Sequence, residues 1–282
     1  MAAGHEVTKV ISRPDAKRGR GGALVESPVK AAAKNLGIEV ADSLDALRPD
    51  DVDLAVVVAY GQIIPTELLD RLPMVNIHFS LLPRWRGAAP VERAILEGDQ
   101  MTGVTIMAVE PSLDSGPVYA MAATPVGEKT LAGLQAELSS LGGELLVDLV
   151  DRWGTNRPVP TAQSGEITYA KKIDPGELEL DVLSSAVHAA RTIRLGRAFT
   201  YLGDRRLRVL EAVVVDSIDE APGTLVGTTV AFGAGALQLL VVQPEGKRAT
   251  EASAWRNGIR TQGPIQLGRP QTLSGNGPRL ER

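Results

Sequence analysis

The stretch Asn76-Ile77-His78-Phe79-Ser80-Leu81-Leu82-Pro83 carries an amide and an imidazole two residues apart, and Leu113-Asp114-Ser115-Gly116 supplies a carboxylate farther along. Val75, Ile77 and Phe79 alternate as a strand does, so Asn76 and His78 leave it on one face. There an amide can donate to a carbonyl oxygen that gains negative charge, and a carboxylate can take the proton of an attacking amine. If the two segments are neighbours, the trio suits transfer of a carbonyl-bearing group to an amine. Each residue also has a structural reading. Asn76 and His78 can be polar groups satisfied by the fold, and Asp114 can accept backbone bonds in a turn.

Other chemistries find less support. The 282 residues contain no cysteine, which excludes disulfides, zinc–thiolate sites and thiol nucleophiles. The three histidines, at positions 5, 78 and 188, lack metal-ligand spacing, so no metal is expected. Gly19-Arg20-Gly21-Gly22 lacks the third glycine of a dinucleotide fingerprint. No phosphate-loop motif occurs, and no Gly-x-Ser-x-Gly elbow surrounds Ser80 or Ser115.

Composition bounds the rest. With 44% hydrophobic and 23% charged residues, a packed core is expected rather than disorder. The net charge of −4 excludes a protein basic over its whole surface but allows a local basic footprint. Up to Arg157 there are fifteen basic and twenty-one acidic side chains; from Pro158 onward there are fifteen and thirteen. No apolar run approaches the length of a membrane span, and Met1 to Val7 lacks a signal-peptide core. A cytoplasmic monomer without a membrane partner is expected.

The elements that must position the trio read as an α/β arrangement. Val7 to Ile11 reads as a strand running into the basic loop Ser12 to Gly22. Ser27 caps a helix with Pro28 at its first position, Val29, Ala32, Ala33 and Leu36 on one face, and Gly37 at its end. Leu54 to Ala59 is apolar without alternation, as in a strand covered on both faces. Strands at 75–79, 103–109 and 118–123 and a helix from Pro90 to about Leu96 follow. Thr130 caps the longest helix, striped by Leu131, Leu134, Leu138, Leu141, Leu145 and Leu149. Strands separated by helices imply a Rossmann-like, largely parallel sheet over residues 1–157. Residues 158–180 read as a linker. Residues 181–282 open with a helix at 182–194, then give strands at 207–215, 223–231 and 237–243 and a helix near 252–258: a small β-rich domain with a turn-rich tail.

Three basic regions stand out. Arg13, Lys17, Arg18 and Arg20 share a loop with only Asp15 to offset them. Arg84 and Arg86 flank Trp85, which would be a stacking platform if exposed and a core residue if packed. Arg191, Arg194, Arg197, Arg205, Arg206 and Arg208 form a positive stripe suited to phosphate contacts.

These features together resemble the folate-dependent formyltransferase family over most of the chain, from about Glu6 to Gly258. Asn76 to Pro83 is similar to the family signature Asn-x-His-x-Ser-Leu-Leu-Pro, and Asp114 stands where the family has its essential aspartate. Leu82-Pro83-Arg84-Trp85-Arg86-Gly87-Ala88-Ala89-Pro90 resembles the branch acting on charged initiator transfer RNA. The resemblance implies a catalytic trio of Asn76, His78 and Asp114. In it Asn76 and His78 donate to the formyl oxygen, His78 also helps orient Asp114, and Asp114 assists removal of the amine proton, directly or through a water. It implies 10-formyltetrahydrofolate as donor, held by Tyr60, Gly61 and Ile63 and by Ser80, Leu81, Leu82 and Pro83. It implies initiator methionyl-tRNA as partner, with Arg13, Lys17, Arg18, Arg20, Arg84, Trp85 and Arg86 at its acceptor stem. A C-terminal OB-like β-barrel would add Arg191, Arg194, Arg197, Arg205, Arg206, Lys247 and Arg248. A sugar-amine formyltransferase, a formyltetrahydrofolate hydrolase and a non-catalytic RNA-binding relative remain open alternatives.

The chain also departs from the family. An opening strand–helix unit with a Gly-Thr-Pro-Glu-Phe-Ala loop is missing ahead of Val7, so an inner sheet edge is expected to be exposed. Leu195 to Tyr201 replaces the family's Asn-Pro-x-Pro-Gly-Ala entry to the barrel, Leu180 replaces a tryptophan, and Phe79 and Ser115 are milder changes.

Overall fold

The computed structural model describes residues 3–18, 22–260 and 264–269, which gather into two compact units. The first draws on Met1–Pro90, Thr102–Pro125 and Ala136–Ala170; the second draws on Val91–Met101, Val126–Gln135 and Lys171–Arg282.

The first unit starts with β1 (Lys9–Ile11), α1 (Pro28–Asn35) and β2 (Glu39–Ala41), with β1 and β2 paired parallel. The Ser27 hydroxyl accepts the Lys30 amide at 3.0 Å, and Pro28 begins the helix, as the sequence leads one to expect. Its apolar face is only partly used: Ala33 is buried, whereas Val29 and Leu36 are exposed. The basic loop forms a small antiparallel ladder, Ala16–Arg18 against Ala23–Val25, and Asp15 is tied to Lys30 at 2.8 Å. Arg20 lies outside the described residues, as does the tail beyond Arg269.

The central sheet follows. β3 (Ala55–Val57) pairs parallel with β4 (Met74–His78). After β5 (Arg86–Gly87) and α2 (Pro90–Glu97) come β6 (Met101–Ala108) and β7 (Val118–Pro125), giving the order β3-β4-β6-β7. β1–β2 and β3–β4 have the expected parallel sense, but β4 and β6 are antiparallel. The Ala108 amide bonds to the Pro117 carbonyl, so β7 also turns back on β6. Residues 109–117 are fewer than the dozen or so that a parallel crossover requires. The sheet is therefore mixed where its polar residues emerge.

β3 corrects a second expectation. Val56 is 41% and Val58 52% exposed, so the apolar run is not covered on both faces. Among the described residues only β4 pairs with β3. On the covered side, α3 (Leu131–Trp153) brings Leu149 and Trp153 against Val75 and Ile106. Leu134, Leu138 and Leu149 of its stripe are fully buried, and the Thr130 hydroxyl caps the Gly133 amide at 3.2 Å. The stretch read as a linker is not a passive connector, for β8 (Tyr169–Ala170) pairs parallel with β5.

In the second unit α4 (Ala186–Arg194), capped by the Ser185 hydroxyl at the His188 amide, buries Ala186, Ala189 and Ile193. The strands are β9 (Phe199–Leu202), β10 (Arg205–Val215), β11 (Thr224–Val226), β12 (Thr229–Ala231) and β13 (Ala236–Pro244). After α5 (Ala252–Asn257) comes β14 (Ile265–Gln266). The strand expected over 223–231 is a hairpin, because Gly227, at φ 59°, turns the chain between β11 and β12. Every described pairing along the path β9-β10-β13-β12-β11-β14 is antiparallel. A Leu202–Leu267 bridge and the Gly268 amide on the Tyr201 carbonyl at 2.9 Å join its two ends. That nearly closes an OB-like barrel. In β10, Leu207 and Val209 point into the core, so Arg206 and Arg208 point outward.

Candidate active site

β4 delivers Asn76 and His78 to its carboxyl end, and the hairpin between β6 and β7 delivers Asp114. The Asn76 amide donates to Asp114 Oδ1 at 3.5 Å, and His78 Nδ1 lies 3.6 Å from Asp114 Oδ2. The structure thus brings the predicted trio together. His78 is buried, and its Nε2 is 2.8 Å from the Trp85 carbonyl. A carbonyl only accepts, so Nε2 donates to Trp85 and is committed there. Its other nitrogen stands on the Asp114 side of the ring. Asn76 keeps a second amide N–H for a formyl oxygen.

Asp114 is held unusually. Its φ of +47° lies in the left-handed region, which costs an ordinary residue roughly 1–2 kcal/mol. Its Oδ2 accepts the Gly87 amide at 2.8 Å. Gly116 closes the hairpin against β6, where a Cβ would fall 1.9 Å from the Ala108 carbonyl oxygen, so no other residue fits. Gln163 donates to the carbonyls of Asp114 and Gly116 at 2.8 and 2.9 Å. Gly87 and Gln163 were missed in the sequence. Gln163 sits in a Pro/Thr/Ser-rich stretch without periodicity, and no local signal marks it.

Around the trio, Thr105 pairs with His78 across β4 and β6, and its hydroxyl donates to the Ser80 carbonyl at 2.6 Å. Ser80 is fully buried and donates to the Arg84 carbonyl at 2.6 Å. Leu82 and Pro83 are buried too, and Leu81 packs towards Gly103. The polar groups of this segment, expected to touch a donor, are paired within the protein: Ser80 with Arg84 and Thr105, and the Leu82 amide with the Thr105 hydroxyl. Tyr60, Gly61 and Ile63 follow β3, whose Val57 is paired with Asn76, so their loop leaves the sheet at the site's end. Ile63 is 93% exposed.

The basic residues divide. Trp85 is only 9% exposed, and the Arg84 guanidinium lies 4.4 Å from the centre of its ring, so it is a packed indole and not a stacking platform. Arg86 reaches Gln163 Oε1 with two nitrogens, at 2.6 and 3.1 Å. Arg191 donates to the Leu96 and Glu97 carbonyls at the end of α2, and Arg194 to the Gly127 carbonyl. The C-terminal end of α2 leaves carbonyls unpaired, which explains the use of Arg191, a cation expected on RNA; Gly127 lies in the turn ahead of α3. Burial lowers the Arg194 pKa from its ordinary value, Glu128 opposing the shift. Arg13, Lys17 and Arg197 are exposed; of Arg18 the backbone is described. Arg205, Arg206, Lys247 and Arg248 converge on one groove of about 530 Å³, floored by Trp255 and Ile259 and carrying a single acid, Glu245. Among the described residues, no three acidic or histidine side chains gather as metal ligands, and no helix is long and apolar enough to cross a membrane.

Comparison with known proteins identifies the class. Residues 2–150 match the formyl transferase family and residues 172–260 the formyl transferase C-terminal domain. The chain belongs to the formyl transferase family, enzymes that move a formyl group from a folate-type donor. It is 42% identical over 276 residues to the methionyl-tRNA formyltransferase of Jannaschia sp. (strain CCS1), covering 92% of this chain and 91% of that one. It is also 42% identical over 284 residues to the Novosphingobium aromaticivorans methionyl-tRNA formyltransferase, covering 95% and 94%. Among solved structures, methionyl-tRNA formyltransferase from Clostridium thermocellum has a similar fold, with a TM-score of 0.52 at 20% identity over 73% of this chain and 93% of that one. HypX from Aquifex aeolicus in complex with tetrahydrofolic acid gives 0.60 at 17% identity over 83% of this chain and 47% of that one. This chain therefore spans about half of HypX.

Proposed function

We propose that this chain transfers the formyl group of 10-formyltetrahydrofolate to the α-amine of methionyl initiator tRNA. The observation that carries the reading is the meeting of Asn76, His78 and Asp114 at the end of β4. The amine nitrogen attacks the formyl carbon, and the formyl oxygen takes up the electron pair. The free N–H of Asn76 donates to that oxygen, a contact worth roughly 2–4 kcal/mol when formed in the transition state. Asp114, oriented by His78, accepts the proton lost by the amine. The oxyanion then collapses, the C–N bond to the folate nitrogen breaks, and Asp114 returns the proton to that nitrogen. Charge and protons balance without a metal.

The Tyr60–Ile63 loop would bear the folate, given its origin beside Asn76. For the acceptor, Arg205, Arg206, Lys247 and Arg248 offer phosphate contacts, and Arg13, Lys17, Arg18, Arg20, Arg84 and Arg197 are further candidates. Residues 1–157 would be the catalytic domain, 158–180 the connection and 181–282 the RNA-binding barrel, acting as a cytoplasmic monomer where translation begins.

The test compares wild type with Asp114→Asn, using charged initiator tRNA and the folate donor. The variant should lose about 10²–10⁴-fold in kcat/KM. Equal rates would remove the mechanism. RNA binding without product in either protein would favour a binding-only relative, and turnover confined to a free sugar amine would change the acceptor.

A further inference from the structure

We propose that Gln163 is a positioning residue for Asp114, acting from a segment with no chemistry of its own; this rests on the reading of Asp114 as the proton acceptor. The amide orientation is forced by its neighbours. The carbonyls of Asp114 and Gly116 can only accept, so both want the Gln163 NH₂. Arg86 can only donate, so it wants the Gln163 oxygen. Flipping the amide would set oxygen against two carbonyls and NH₂ against a guanidinium.

One side chain therefore pins the backbone on both sides of Ser115, and Asp114 keeps a positive φ inside that clamp. The same stretch of chain grips the carboxylate from the other end. The Arg86 amide donates to the Thr168 carbonyl, the Trp85 amide to the Thr168 hydroxyl, and the Ala88 amide to the Ala170 carbonyl. Those bonds place Gly87, whose amide holds Oδ2. Residues 163–170 thus fix both the Asp114 backbone and the direction in which its carboxylate points. A displacement of about 1 Å at a reacting group can cost on the order of 100-fold in rate, so this hold bears on turnover more than on binding.

Two substitutions separate the clamp from mere packing. Gln163→Glu keeps the length and the Arg86 contact but presents oxygen to both carbonyls; Gln163→Met removes every polar contact. Both should lower kcat by about 10- to 100-fold, with KM for donor and RNA within about two-fold of wild type. Arg86→Met, which removes both donors to the Gln163 oxygen, should fall towards the Gln163 variants in kcat, and Arg86→Lys, which cannot reproduce the paired contact, should lie between it and wild type. A second readout needs no substrate. The Gly87 amide should exchange with solvent at least about tenfold faster in both Gln163 variants, while the barrel amides of Leu237 and Val242 keep their protection. Folded Gln163 variants with wild-type kcat, or with Gly87 protected as in wild type, would overturn the proposal. Inactive wild-type protein would instead sink the functional reading, and Gly87 exchange would still decide the clamp.

Discussion

The rim around Asp114 and the groove on the barrel treat polar groups in opposite ways. At the rim nearly every polar atom is assigned to a neighbour: His78 to Trp85 and Asp114, Gln163 to Arg86 and two carbonyls, Ser80 to Arg84, Thr105 to Ser80. In the groove, Arg205, Arg206, Lys247 and Arg248 stand exposed around an apolar floor. Buried, fully paired groups hold one geometry, which suits a charge that develops at one place. Exposed cations gain little from any single geometry but attract a polyanion over a broad surface. The same split runs through the arginines. Arg191 and Arg205 look alike in sequence, yet one caps a helix end and the other faces solvent.

Three experiments probe this contrast, the largest effect first. Asn76→Ala should lower kcat by about 10²–10³-fold with little change in RNA binding; a change confined to KM would assign Asn76 to holding substrate. Replacing Arg205, Arg206, Lys247 and Arg248 together by Ala should leave kcat at saturation unaltered, weaken RNA binding at every sequence, and flatten its salt dependence by about one unit of slope per cation removed. An unchanged slope would take the groove out of the RNA footprint. Arg191→Ala should cost about 1 kcal/mol of stability through the carbonyls it leaves behind, read as a lower Tm, with the salt slope unchanged. A fall in that slope would return Arg191 to the RNA surface.

Much of this was legible from residue types and spacing. Asn76 and His78 two apart on a strand, the Ser27-Pro28 start of α1 and the leucine stripe of α3 all follow from local periodicity and capping. The mixed sheet was less legible, since strand direction depends on how the chain returns: residues 109–117 make a hairpin that an expectation of βαβ units passes over. The exposure of Val56 and Val58 was hidden for a related reason, because an apolar run does not reveal whether its second face is covered.

The sequence by itself determined which groups could act and on which face of which strand they stand, because side-chain direction follows from backbone period. Only the tertiary structure decided which of them meet. It joined Asp114 to His78 from another strand, and it drew Gln163 out of a featureless stretch to hold the Asp114 backbone. It buried Trp85 and spent Arg191 and Arg194 on carbonyls. Hydrogen-bond partners are chosen by distance in space, and a residue's type states only what it can give or accept.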